Sequence, residues 1–384
     1  MKKIYEPLIS ILVPCYNNQQ FIYEMLESVF CQTYHHIEVL IGDDGSPNFD
    51  SAQLEDWLNK HQPEWLKRVS VYENRENIGT VANIHHLQQN SLGEYLLNIA
   101  ADDALYDETV LQSFVERINE IQDSGEQAEI IMAQLEMWDH EFKNKLNDFL
   151  RPEIIDLIKN GTSRELFAKD SIDCCLTAQY LYKRCIIEKA GNIPAQYRLI
   201  EDWPSMLRLL RQGVKIHYMD NPPVAKHRDG GISHSNVLHS QRVKIRFLNE
   251  LVDCYYNEIE PYEDLLGEEE KRLTRANIIN IVHALSTEHL PVLEDSLKSK
   301  NKGKGFSDIS FGKELKKLLT KNSQMKYIWQ FLFWTVLFIL ISEHTLNPVI
   351  SSIMLLASGL SFLLALCGIV VKSWIIARYR LRLF

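Results

Sequence analysis

From Ile9 to about Trp138, short apolar runs alternate with amphipathic stretches, the signature of a parallel α/β sheet. Ile9 to Val13 predicts a buried strand, and Phe21, Ile22, Met25, Leu26, Val29 and Phe30 then recur at helical spacing. Ile37 to Ile41 predicts a second strand, stopped by the turn residues Asp43-Asp44-Gly45-Ser46. A helix around Leu54, Trp57 and Leu58 follows, then a strand at Val69 to Tyr72. Another helix runs from Thr80 toward Asn90, and a strand from Glu94 to Ile99 stops at Asp102-Asp103. The stretch from about Glu153 to Asp229 is mixed. It holds a strand candidate at Cys175 to Leu181 and a helix from Pro204 to Gln212, closed by Gly213.

Beyond Ser235 the pattern changes. Residues 235–297 read as a charged helical extension, and residues 298–326 as a basic linker opening on KSKNKGKG. Val349 to Val371 is apolar without a charged side chain, and about 20 such residues cross a bilayer. Tyr327 to Ser342 is a shorter, aromatic-rich companion, separated from it by the polar break Glu343 to Pro348. Residues 327–384 therefore predict a transmembrane hairpin with a basic tail. Lysines before it and Lys372, Arg378, Arg380 and Arg382 after it place both flanks, and residues 1–234, in the cytoplasm at the inner membrane.

Composition narrows the reading. A hydrophobic fraction of 46% in 384 residues excludes general disorder, and a formal charge of −10 argues against a nucleic-acid partner. Seven cysteines with no CxxC pair, two of them adjacent at Cys174-Cys175, suit a reducing compartment and read as small buried hydrophobes. Met1 to Pro7 leads straight into a strand, so no secretory signal is expected.

Ligands of open α/β sheets bind beyond the carboxyl ends of the strands. Asn17, Asp43, Asp44, Asp102 and Asp103 all fall at that edge. Hard carboxylate oxygens suit Mg²⁺ or Mn²⁺, and such sites commonly use one or two carboxylates plus substrate phosphates. An acidic residue opening a helix, as Asp202 does before Trp203-Pro204, is stabilised as an anion. Each of these motifs alone also fits an ordinary acidic turn or helix start.

The ordered series is more specific. ISILVPCYNN (Ile9 to Asn18), LESVFCQTY (Leu26 to Tyr34), IEVLIGDDGS (Ile37 to Ser46), Asn77-Ile78-Gly79 with Asn83, and Gly93 to Leu96 leading to Asp102-Asp103 together resemble family 2 glycosyltransferases. Weaker echoes are Glu201-Asp202 and His227 to Ser233, so the resemblance spans roughly Ile9 to Ser235. It implies the GT-A fold, a Rossmann-like mixed sheet flanked by helices, and inverting transfer from a UDP-sugar to a glycan or lipid-linked acceptor. The setting it implies is the synthesis of a capsule, O-antigen or exopolysaccharide. It also implies roles: Asp103 as the ligand of Mg²⁺ or Mn²⁺, Asp102 facing the ribose, and Pro14, Tyr16, Asn17, Asp43, Asp44 and Asn83 around the nucleoside. Asp202 would be the base, supported by Glu201, and His227, Arg228 and Ser233 would lie on a flexible loop closing over the diphosphate. Two departures stand out: Ala100 where many relatives carry Asp, and no His-x-x-Ser-x-Ser. A nucleotidyltransferase-like enzyme and an inactive membrane-bound glycan-binding scaffold remain the alternatives. The first would need a glycine-rich basic loop after the first strand, where the chain has Pro14-Cys15-Tyr16-Asn17.

Overall fold

The apolar runs become strands and the amphipathic stretches helices in a computed structural model that describes residues 4–177, 179–191, 197–229, 241–282 and 284. The first half contains β1 (Ile9–Cys15), α1 (Ile22–Phe30), β2 (Ile37–Asp43), α2 (Ser51–His61), β3 (Val69–Glu73), α3 (Thr80–Asn90) and β4 (Tyr95–Asn98). Next come β5 (Ala104–Leu105), α4 (Val110–Asp123), β6 (Ile130–Ala133), β7 (Leu135–Trp138) and β8 (Lys145–Asp148). The chain continues through α5 (Pro152–Asn160), α6 (Ser163–Asp173), β9 (Tyr180–Lys183), α7 (Cys185–Ala190) and α8 (Asp202–Arg211). It then adds β10 (Ile216–Met219), β11 (Ala225–Arg228) and α9 (Gln241–Cys254), a π-helical turn at Tyr255–Ile259, and α10 (268–282).

Among the described residues the main sheet has seven strands in the order β10-β6-β9-β4-β1-β2-β3. Its parallel centre is apolar on both faces: Ile9, Ile11, Leu12 and Val13 of β1 and Val39, Leu40 and Ile41 of β2 are fully buried. α1 adds Ile22, Met25, Leu26 and Val29, and α4 adds Leu111, Phe114 and Ile118. Two polar side chains inside this core satisfy each other, Ser10 Oγ donating to Glu38 Oε1 at 2.5 Å. A second sheet, β5-β11-β7-β8, lies beside it.

The α/β class with a mixed sheet is as expected, but three particulars differ. The strand expected at 175–181 begins at Tyr180, because Asp170 Oδ1 accepts the Leu176 N–H at 2.9 Å and Cys174 takes a left-handed φ of 49°. β9 then runs antiparallel between β4 and β6, which makes the sheet mixed. The start of the expected flexible loop is a strand: β11 pairs in parallel with β7 and antiparallel with β5. Cys31 and Cys185 are exposed rather than buried.

The described part of the expected helical extension belongs to the same compact unit as the sheet, which reaches Val282. Ser233, the basic linker at 298–326 and the hairpin at 327–384 lie outside the described residues. Among the described residues no helix is long and apolar enough to cross a membrane.

Candidate active site

The chain leaves β1 in one direction through β2 and β3, then returns to place β4 on the other side of β1. The carboxyl ends of β1 and β4 therefore flank a topological switch point, the crevice where open α/β sheets bind ligands. Side chains close that crevice. Asn18 Oδ1 accepts from the Tyr16 N–H at 3.0 Å, while Asn18 Nδ2 donates to Asp102 Oδ1 at 3.1 Å. The turn between β1 and α1 needs Asn17 at a φ of 56°, a conformation asparagine tolerates. It leaves the ring of Tyr16 46% exposed at the rim, beside half-buried Pro14.

Asp43 and Asp44 end β2 fully inside the structure. Asp43 accepts from Ser46 N and Ser46 Oγ at 2.8 and 2.5 Å, and Ser46 Oγ in turn accepts from the Asn17 N–H at 2.8 Å. Asp44 spans the next gap: Oδ1 accepts from Ile78 N–H and Oδ2 from Gly79 N–H, both at 2.8 Å. Burial raises its pKa despite those bonds. The approach is tight. Gly45 has a φ of 71°, and a Cβ there would stand 2.6 Å from the Glu76 backbone. Asn83, expected beside the nucleoside, is also turned inward, its Nδ2 donating to the Gly42 carbonyl at 2.7 Å. Asp44 and Asn83 thus hold the walls of the crevice.

Asp102 and Asp103 occupy the turn after β4. Asp103 Oδ2 accepts from Gln179 Nε2 at 2.6 Å and pairs with His227 Nδ1 at 3.0 Å, and its Oδ1 accepts the Arg228 N–H at 3.1 Å. Burial, then the neighbouring Asp103 charge, raises the pKa of Asp102. Burial pulls the His227 imidazole down, but the charge and hydrogen bond of Asp103, with Asp102 and Asp229 behind, outweigh it and leave its pKa raised. Two adjacent carboxylates that repel each other are a donor set that fits a hard divalent cation. Among the described residues no three His, Cys, Asp or Glu side chains are grouped to hold one.

Arg228 departs from its expected task. Its guanidinium is 3.8 Å from the Phe142 ring centroid and 4.4 Å from that of Phe21. It donates to the Asp102 carbonyl, the His140 carbonyl and Glu24 Oε2. With its donors committed and only 4% exposed, it braces the Asp102 turn rather than reaching toward a diphosphate.

Glu201 and Asp202 open α8 side by side, and both line a cavity of about 120 Å³. The same cavity is lined by Gln179, the partner of Asp103, with Asn98 of β4 and Tyr182 of β9. Tyr182 donates to Asn98 Oδ1 at 3.0 Å and accepts from Gln88 Nε2 at 3.0 Å. The start of a helix was expected to keep Asp202 ionised, and Asp202 Oδ1 does accept the Trp203 N–H at 2.8 Å. Burial is stronger: it raises both carboxyls, and the charge of Asp202 raises Glu201 further. Two contributors have no motif to announce them: Gln179 and Glu250 of α9. Asn18 is not singled out either, although it closes the run ISILVPCYNN in the polar turn after β1.

The model of the family described as "Glycosyl transferase family 2" matches residues 10–186. An uncharacterized glycosyltransferase of Haemophilus influenzae is 28% identical over 33% of this chain and 39% of its own length. One of Rickettsia typhi is 23% identical over 72% of this chain and 76% of its own. The Pyrobaculum calidifontis mannosyltransferase solved with GDP-Man and Mn²⁺ is 15% identical, with a TM-score of 0.48, covering 94% of this chain and 88% of that one.

Proposed function

Because residues 10–186 match the model of glycosyl transferase family 2, we propose that this chain moves a hexose or N-acetylhexosamine from a UDP-sugar to a hydroxyl of a glycan or lipid-linked acceptor, inverting the anomeric configuration. One observation carries the proposal: a single cavity joins Gln179, which grips Asp103, to the carboxyl pair Glu201-Asp202.

In this reading the donor lies along the switch-point crevice. The exposed ring of Tyr16 offers a stacking face for the base, and the Asp43–Ser46 turn shapes the pocket beneath it. Asp103, with Asp102 or His227, would hold Mg²⁺ or Mn²⁺, which when bound supplies positive charge against the leaving diphosphate. Asp202 accepts the proton of the acceptor hydroxyl as that oxygen bonds to the anomeric carbon. The bond from that carbon to the diphosphate oxygen breaks, and UDP leaves. A carboxylate with a raised pKa is the stronger base, provided that it is ionised at working pH. Glu201 supports it. The apolar run Val349 to Val371 and its basic flanks support a site on the cytoplasmic face of the inner membrane, in cell-surface polysaccharide synthesis.

The test is release of nucleoside diphosphate by full-length protein across UDP- and GDP-sugars, with Mn²⁺, Mg²⁺ or a chelator. We expect turnover with a UDP-sugar that the chelator abolishes. Turnover undiminished in chelator would contradict the assignment of Asp103.

A further inference from the structure

Resting on that reading, we infer that Glu250 of α9 is a positioning residue for the carboxyl pair Glu201-Asp202, so that α9 is part of the catalytic apparatus. Glu250 is 2% exposed, and its Oε2 accepts three consecutive backbone N–H groups: Arg198 at 3.1 Å, Leu199 at 2.8 Å and Ile200 at 3.3 Å. Those residues lead directly into Glu201. An anion gripped by successive N–H groups fixes the path of the backbone, as a phosphate does in a nest. Here the anion belongs to the protein, and what it fixes is the direction from which Glu201 and Asp202 enter the cavity.

The same segment is tied on its other side to the donor crevice. The Arg198 carbonyl accepts the Val81 N–H at 3.1 Å, and Arg198 Nη2 donates to Asn77 O and Oδ1, both at 2.8 Å. Gly79, which packs on Arg198 too closely for a side chain, is itself held by Asp44. Asp44, the 77–79 loop, Arg198 and Glu250 therefore form one continuous strap from the nucleotide side to the base side.

Charge adds a second effect. Glu201 faces Asp202 on α8, Glu250 on α9, His85 on α3 and Tyr180 and Tyr182 on β9, and Asp202 also faces Asp170 on α6. Arg246, one turn before Glu250, lies 4.0 Å from its other oxygen. The negative charge of Glu250 adds to burial and Asp202 in raising Glu201. Removing that charge lets Glu201 ionise at lower pH.

Two full-length variants separate geometry from charge. Glu250→Gln keeps a carbonyl oxygen for the N–H groups and loses the charge. Glu250→Asp keeps the charge and withdraws the acceptor by one methylene. We expect each to lower kcat about 10-fold with donor KM within about two-fold. The acid limb of the kcat–pH profile should move to lower pH in Glu250→Gln and stay in place in Glu250→Asp. Wild-type kcat and an unmoved limb in both variants would overturn the inference. So would a loss equal at every pH that only tracks a fall in Tm. Asp202→Asn measured alongside separates the premises. If it is inactive while both Glu250 variants behave as wild type, only the role of Glu250 falls; if it is fully active, the base assignment falls and Glu250 has nothing to position.

Discussion

Asp170 on α6 accepts the Leu176 N–H through Oδ1, while Oδ2 is buried without a hydrogen-bond partner among the described residues. Burial, reinforced by the Asp202 charge, pushes this carboxyl from 3.8 to about 7. Folding therefore favours the protonated form: its contribution to stability is complete below 3.8 and is lost as pH rises through about 7. Asp170→Asn should then show a smaller fall in Tm between about pH 5 and pH 8 than the parent protein. Parallel Tm–pH curves for the two proteins would refute this. Residue types were legible here where residue tasks were not. Asp44, Asn83 and Arg228 could be singled out from motifs, but a sequence does not record that backbone groups or neighbouring rings already occupy those side chains. Gln179 could not be found at all, since its reach to Asp103 depends on β9 entering the sheet antiparallel beside β4.

α8 carries the carboxyl pair at its start and is clamped along its body. Arg208 Nη2 and Arg211 Nη2 meet the two oxygens of Glu258 at 2.5 and 2.8 Å, and Arg211 Nη1 donates to the Glu258 carbonyl at 2.7 Å. These groups are mostly buried, so deleting the shared carboxylate leaves positive charge in a poorly solvated place. Glu258→Ala should cost about 3 kcal/mol and lower Tm by several degrees. An unchanged Tm on thermal unfolding would show that α8 is held by apolar packing alone. Among the elements, β1, β2, β3 and α3 were readable because long apolar runs or a sustained helical period mark them. β5, β7, β8 and β11 were not, since strands of two to four residues carry too little periodicity. Glu250 and Glu258 were hidden for the opposite reason: on a charged helical stretch they resemble a solvated face.

Across the molecule, carboxylates fall into two groups with different tasks. Asp43, Asp44, Asp102 and Asp103 lie at the ends of β2 and β4, around the switch-point crevice. Asp170, Glu201, Asp202 and Glu250 surround the start of α8, where burial raises Asp170, Glu201 and Asp202 and the Asp202 charge raises the first two further. The family match stops at residue 186, so the segment proposed to bind the donor and the segment proposed to carry the base come from different stretches of one compact unit. This division makes the central claim separable: a base acts on the acceptor, whereas the crevice residues act on the nucleotide. Asp202→Asn, assayed by titration calorimetry with the UDP-sugar and by acceptor-dependent kinetics, is the direct measurement. The account predicts donor affinity within a few-fold of the parent and kcat lower by roughly 10²-fold or more. Loss of donor binding in Asp202→Asn, with full binding in Asp44→Ala, would contradict it.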